Sequence, residues 1–364
     1  METGLRLKKE EVVLRLRELY RRYGYLPYKM SKFEEYDLYV RNKSFLVSDN
    51  ILTFTDIDGK LMALKPDVTL SILKNSRQEA GLQKVYYNEN VYRTSPGAHG
   101  YREILQAGLE CIGDLDGYAV GEVVMLAARS LELISPDYLL DLSHLGFVTG
   151  LLEPLKLEEE QQRSLLEAVG QKNTAALEVL AARYALPEQT RDVLCRLALL
   201  YAPPEEALPQ LEQMVCTEEM AAALDELRQL CGLMEQYGLD DRLRLDFSVA
   251  DDTRYYSGVV FRGFLPGLAA GVLSGGRYDH MVHKMGRPGG AIGFAVYLDL
   301  LEGYFAVPKG YDVDVLLLYD EGVSPARVAA AANAVLASGK TVRVERQIPP
   351  ELQYRELRTL KERG

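Results

Sequence analysis

A block of helix formers lodged between two stretches of strand-like text constrains the fold of this chain more than any other feature. From 156 to 237 the sequence is nearly all Leu, Glu, Ala and Gln, punctuated by Pro187, Pro203-Pro204 and Pro209, and reads as an insertion of four or five helices. Before it, Asp56-Ile57-Asp58-Gly59 marks a hairpin turn between extended runs at Ile51–Thr55 and Lys60–Leu64. Lys84–Arg93 and Arg102–Gly113 read as two further strands around a loop holding Pro96, Gly97 and Gly100. After the block, Leu243, Leu245, Phe247 and Val249 alternate with Arg242, Arg244, Asp246 and Ser248, the period of a half-buried strand. A Gly-rich hairpin, Gly263–Gly276, follows. Strands joined by hairpins and interrupted by helices predict an α+β fold, an antiparallel sheet with helices on one side, and not a doubly wound sheet.

Helical spacing fills in the rest. Val12, Leu16, Leu19, Tyr20 and Tyr23 predict an amphipathic helix over 8–23, stopped by Gly24. A helix over 69–77 follows Lys65-Pro66-Asp67, with Asp67 or Thr69 suited to its first turn, and further helices are expected at 117–134 and 291–304. After Pro308, Val313–Leu318, a helix at 325–337 and Thr341–Glu345 form a βαβ-like pattern in a stretch short for a full α/β domain. At 364 residues, 48% of them hydrophobic, the chain is long enough for two or three domains, each with its own core.

Composition narrows the partners. No run of about 18 apolar residues is present to span a membrane, and the charged N-terminus lacks the apolar stretch of a secretory signal. Cys111, Cys195, Cys216 and Cys231 lie far apart without a CxxC pair, as expected of reduced core thiols in a cytoplasmic protein. A net charge of −11 disfavours nucleic acid.

The segment Tyr101–Gly113 is the most informative chemically. On a strand, Leu105, Ala107, Leu109 and Cys111 face a core, while Gln106, Gly108 and Glu110 face the other way. A glycine between two long polar residues leaves an open floor into which an amide and a carboxylate point, suited to an ammonium or imidazole group. Arg254-Tyr255-Tyr256-Ser257-Gly258-Val259-Val260-Phe261 puts two tyrosines on opposite faces of a strand, one packing in the core and one presenting its hydroxyl. Gly275-Gly276-Arg277-Tyr278-Asp279 combines close backbone approach with an arginine and a tyrosine. His99, His144, His280 and His283 offer no metal-ligand spacing, and no phosphate loop or nucleophile elbow occurs. These residues describe a sheet-floored pocket for a small polar, cationic ligand.

Together and in this order, the segments resemble the catalytic core of class II histidyl-tRNA synthetases from about residue 8 to 305. Lys65-Pro66-Asp67-Val68-Thr69 is similar to that family's Arg-Pro-Glu-Gly-Thr element. Val91-Tyr92-Arg93 with Gln106-Ala107-Gly108-Leu109-Glu110 is similar to motif 2 and the strand after it. Tyr255-Tyr256 and Gly275–Asp279 resemble the two histidine signatures, and Ala291-Ile292-Gly293-Phe294-Ala295 the start of motif 3. The departures fall on the groups that handle ATP. Leu300 stands where motif 3 ends in an arginine, Asp251 where the synthetase has its catalytic arginine, Ser95 where motif 2 has an acid, and Ser31 where motif 1 has a proline. An arginine-to-carboxylate exchange beside developing phosphate charge should cost several kcal/mol of transition-state stabilisation, since about 3–4 kcal/mol follows from losing one oxyanion donor.

Loss of the ATP-handling residues with retention of the amino-acid-handling ones is similar to the regulatory subunits of ATP phosphoribosyltransferase, a synthetase-derived family of histidine biosynthesis. That resemblance implies no catalytic residue, no cofactor and no metal. It implies histidine as ligand, with Gln106 and Asp67 on its α-amino group, Glu110, Tyr256 and Tyr278 on its imidazole, Arg93 facing its carboxylate, and Thr69 in the same pocket. The implied partners are a short-form catalytic subunit and a second copy of the chain, within a hetero-octamer, with neither nucleic acid nor membrane. The implied domains are a core of 1–150 and 238–305, a helical insertion at 151–237 and a reduced anticodon-binding-like segment at 306–364.

Overall fold

The computed structural model describes residues 9–42, 51–76, 81–94, 100–249, 255–301, 304 and 311–361. They form two compact units, one within Leu7–Phe305 and the other within Ala306–Gly364.

The larger unit opens with helix α1 (Lys9–Arg22), the two-residue strand β1 (Leu26–Pro27), strand β2 (Phe33–Glu35) and the short helix α2 (Tyr36–Arg41). The hairpin strands β3 (Thr53–Thr55) and β4 (Leu61–Leu64) follow, with Asp56 accepting from the N–H groups of Asp58 (2.9 Å) and Lys60 (2.8 Å) to close the turn. Helix α3 (Thr69–Asn75) leads to the long strands β5 (Gln83–Thr94) and β6 (Tyr101–Gly113), then α4 (Gly117–Ile134). Asp116 caps α4 by accepting from the N–H of Ala119 at 2.7 Å. Strand β7 (Leu139–His144), unforeseen in the sequence, runs straight into α5 (Leu145–Leu152). The helical block holds five helices: α6 (Glu159–Gly170), α7 (Thr174–Arg183), α8 (Glu188–Leu199), α9 (Pro204–Glu212) and α10 (Glu218–Gln236), with the two-residue strand β8 (Tyr201–Ala202) between α8 and α9.

Three expectations need correction in the remainder. Strand β9 is only Leu243–Asp246, because Asp246 accepts from the N–H of Ser248 at 2.8 Å and bends the chain into a 3-10 turn over Phe247–Val249. Strand β10 (Val259–Phe264) begins after the tyrosine pair rather than within it, and hairpins into β11 (Leu273–Arg277). After the short helix α11 (Asp279–Lys284), the segment expected as helix 291–304 is instead strand β12 (Gly290–Tyr297), followed by a 3-10 turn. Its small residues suggested a helix. Yet Ile292, Phe294 and Val296 alternate into a core while Gly293, Ala295 and Tyr297 face away, and both neighbours claim its backbone.

Nine strands form one sheet in the order β1-β5-β6-β12-β11-β10-β7-β9-β8. It is antiparallel through its centre, with parallel pairs only at β1/β5 and β7/β9. One continuous core lies behind it, shared by α1, α4, α5, the five helices of the block and the rear-facing residues Ala107, Leu109, Cys111, Phe261 and Phe294. The front face is not bare. A second cluster covers one end of it, built from Tyr39, Leu70, Ile72, Leu73, Met281 and Val282 of α2, α3 and α11, with Ala63 of the small antiparallel sheet β2-β4-β3. All four cysteines are free; Cys111 and Cys231 are buried, but Cys216 is exposed, contrary to its expected core position, because it lies in the α9–α10 turn.

In the C-terminal unit, β13 (Val313–Tyr319), α12 (Pro325–Ala337) and β14 (Val342–Glu345) make a parallel βαβ unit. Strand β15 (Tyr354–Leu360), also parallel to β13, completes a three-stranded sheet.

Candidate functional site

Where the front cover ends, the sheet floors a cavity of about 250 Å³. Asp67, Thr69, Arg93, Gln106, Glu110, Tyr256 and Tyr278 all line it. Period-two geometry puts them there. Gln106 and Glu110 project from one face of β6 while Ala107, Leu109 and Cys111 pack behind, and Arg93 lies on β5, hydrogen-bonded along its whole length to β6.

Lys65-Pro66-Asp67 is pinned to β5. Tyr92 donates its backbone N–H to the carbonyl of Lys65 (3.0 Å), and Arg93 Nε donates to the carbonyl of Pro66 (2.9 Å). Lys65 is fully buried and paired with Glu89 at 2.5 Å. The same pinning holds Asp67, whose carboxylate accepts from the N–H of Leu70 at 2.9 Å in the first turn of α3.

Glu110 is the centre of the site. Only 2% exposed, it accepts from Thr69 Oγ1 at 2.9 Å and from the hydroxyl of Tyr278. Burial pushes its carboxyl up to about 8; the bonds from Tyr278 and Thr69 pull it down, and the negative charge of Asp67 adds to the rise. Burial also raises Asp67, opposed by the Leu70 N–H and the positive charge of Arg93. Tyr278 is held far above the usual tyrosine range by burial and by Glu110. Two buried carboxylates, hydroxyl donors around one of them and a neighbouring guanidinium suit a ligand that carries positive charge or an imidazole ring at one end.

The floor differs from the sequence expectation at Gly108. A Cβ there would meet the hydroxyl of Tyr87 at 2.6 Å, so the space is already taken by the Tyr87 ring crossing from β5. Gly293 does the corresponding service for Glu110, whose carboxylate lies directly over it from the neighbouring strand. The tyrosine pair also differs. Tyr255 and Tyr256 stand in a loop, both line the cavity, and their rings meet edge-on with centroids 4.8 Å apart. Leu300 sits in the 3-10 turn after β12, 43% exposed. Ser95 and Asp251 lie outside the described residues.

Tyr87, Arg262, Ser274 and Tyr297 also line the cavity and were not singled out in the sequence. Ser274 and Tyr297 join their hydroxyls at 2.6 Å across β11 and β12. Alternation was the available signal: Tyr87 shares a face of β5 with Arg93, and Tyr297 a face of β12 with Gly293. Among the described residues, no group of three His, Cys, Asp or Glu side chains is placed to hold a metal, and no helix is long and apolar enough to cross a membrane.

The antiparallel sheet with helices packed behind it is a class II synthetase-type fold, and the family model described as histidyl-tRNA synthetase matches residues 6–301. A relative from Clostridium kluyveri, an ATP phosphoribosyltransferase regulatory subunit, is 30% identical over 300 residues, 80% of this chain and 76% of its own. The chain belongs to the histidyl-tRNA synthetase family and, within it, to the ATP phosphoribosyltransferase regulatory subunits. Two solved structures share the fold. A Bacillus halodurans protein described as an ATP phosphoribosyltransferase regulatory subunit/histidyl-tRNA synthetase has a TM-score of 0.80 at 24% identity, covering 97% of this chain and 94% of that one. A chain of the ATP phosphoribosyl transferase complex of Thermotoga maritima has a TM-score of 0.62 at 17% identity, covering 80% and 97%.

Proposed function

We propose that this chain is a non-catalytic, cytoplasmic regulatory subunit that joins a short-form ATP phosphoribosyltransferase catalytic subunit, is required for its activity and takes part in its feedback inhibition by histidine. The reading is carried by an intact buried carboxylate–tyrosine pocket in a chain with Leu300 where motif 3 would end in an arginine. Membership of the regulatory-subunit family supports it. In the proposed pocket, Asp67 and Gln106 receive the α-amino group of histidine. Glu110, positioned by Thr69, takes the imidazole with Tyr256 and Tyr278, and Arg93 faces the carboxylate. The assembly is a hetero-octamer built on dimers of this chain.

Regulation follows from linkage. If the assembly has two arrangements and the pocket binds histidine more tightly in one, histidine shifts the population toward it. A coupling of about 1–3 kcal/mol gives a five- to 150-fold change. The test is reconstitution: adding this chain to an inactive short-form catalytic subunit is expected to produce phosphoribosyl-ATP, and Glu110→Gln in the assembly to blunt inhibition by histidine. Absence of activation sinks the reading. ATP–pyrophosphate exchange driven by histidine on this chain alone would make it a divergent synthetase instead.

A further inference from the structure

The smallest residues of the central strands lay the cavity floor. On the front face β12 presents Gly293 and Ala295, and β11 presents Ser274 and Gly276, the last lying beneath the ring of Tyr256. The strands on either side carry long polar groups, Gln106 and Glu110 on β6 and Arg262 on β10. This makes a trough running across the strands. The buried carboxylate of Glu110 closes one end, and the half-buried Arg262 lines the other.

Register gives the span. Glu110 pairs with Gly293, Gly293 with Gly276 and Gly276 with Val260, and Arg262 is the next residue on the same face of β10. Three inter-strand steps separate β6 from β10, roughly 14 Å at about 4.8 Å per step. Glu110 shortens that distance, since it lies over Gly293, one strand inward. The stem of Arg262 lies over Gly271, in the loop just before β11, where a Cβ would meet its Cγ at 2.7 Å. The paired hydroxyls of Ser274 and Tyr297 flank that end of the trough as further donors. Behind Arg262, in register on β7, is Asp141, whose carboxyl burial and the charge of Asp246 push up to about 7.

We propose that Arg262 binds the carboxylate of the pocket's ligand, which lies across the strands with its side-chain end at Glu110. This rests on the amino-acid pocket proposed above and adds to Arg93, which already spends Nε on the carbonyl of Pro66. A guanidinium suits this place because it meets a carboxylate with two parallel N–H donors.

The experiment is calorimetric titration of the full-length chain with histidine and with histamine, which lacks the carboxylate. Wild type is expected to prefer histidine. Arg262→Gln should weaken histidine about tenfold or more while leaving histamine within about twofold, and Arg262→Lys should recover part of the loss. Melting curves check that each variant is folded, and the lysine variant carries the test if the glutamine variant is not. A histidine-to-histamine ratio unchanged in the folded variants, while Glu110→Gln still weakens both ligands, overturns this proposal alone. Wild type that binds neither ligand overturns the amino-acid pocket as well.

Discussion

At the scale of single residues, Glu110 gathers most of the site's chemistry. Its folded carboxyl titrates near 8, against an ordinary value of 4.5. The ligand-free native state therefore keeps a proton that the unfolded chain gives up. That contribution to stability is complete below about pH 4.5 and disappears as pH rises through about 8. Asp141, pushed up to about 7, and Asp67, also raised by burial, have the same sign, and Glu110 carries its share through the interval from 7 to 8. Ligand-free melting temperature is expected to fall across that interval, and Glu110→Gln to flatten the fall. A wild-type curve that rises there contradicts the proton held by Glu110. Glu110 itself was legible in the sequence because a strand pattern placed it with Gln106 opposite a row of apolar residues. Tyr87 was not, since a tyrosine in a strand usually packs in a core, and its role depends on crossing to Gly108 of the neighbouring strand.

Among the elements, β12 carries the clearest lesson. Read along the sequence, the glycines and alanines of Gly290–Tyr297 suggested entry into a helix, although Ile292, Phe294, Val296 and Tyr297 are strand formers at near-alternate positions. Its state is decided by β6 and β11 on its two sides, and by the Glu110 carboxylate occupying the room above Gly293. Gly293→Ala is expected to cost about 1–3 kcal/mol by overpacking and to weaken histidine binding by expelling that carboxylate. Denaturant melts and titration with histidine measure the two effects. Undiminished affinity would mean that Glu110 keeps its function from another rotamer. The hairpin at Asp56–Gly59, the long α4 and the five helices of the block were all readable, because turn chemistry, capping and helical period are local signals. The shortening of β9 was not, since it depends on a side chain of Asp246 folding back on its own backbone.

For the molecule as a whole, every described residue lining the cavity falls between Asp67 and Tyr297, within the larger unit. Histidine affinity is therefore expected to survive truncation of residues 306–364, as measured by titration of the shortened chain. Loss of binding in a chain that still melts cooperatively would give the C-terminal unit a part in the pocket. The antiparallel architecture was visible in the sequence, but the joint core was not: α6 to α10 pack on the rear of the same strands that carry the site. Contacts between segments so distant in sequence leave no periodic trace in either.

The order of the nine strands also bears on how such a subunit can meet another protein. At one margin the sheet finishes in Leu26–Pro27, and at the other in Tyr201–Ala202, followed directly by Pro203-Pro204. Each terminal strand is two residues long and contains or adjoins an imino acid that lacks an N–H, too little backbone to template an incoming strand. The two terminal strands themselves give little purchase for lateral addition. Recognition at these terminal strands falls to side chains, which can discriminate between partners as a bare row of peptide groups cannot.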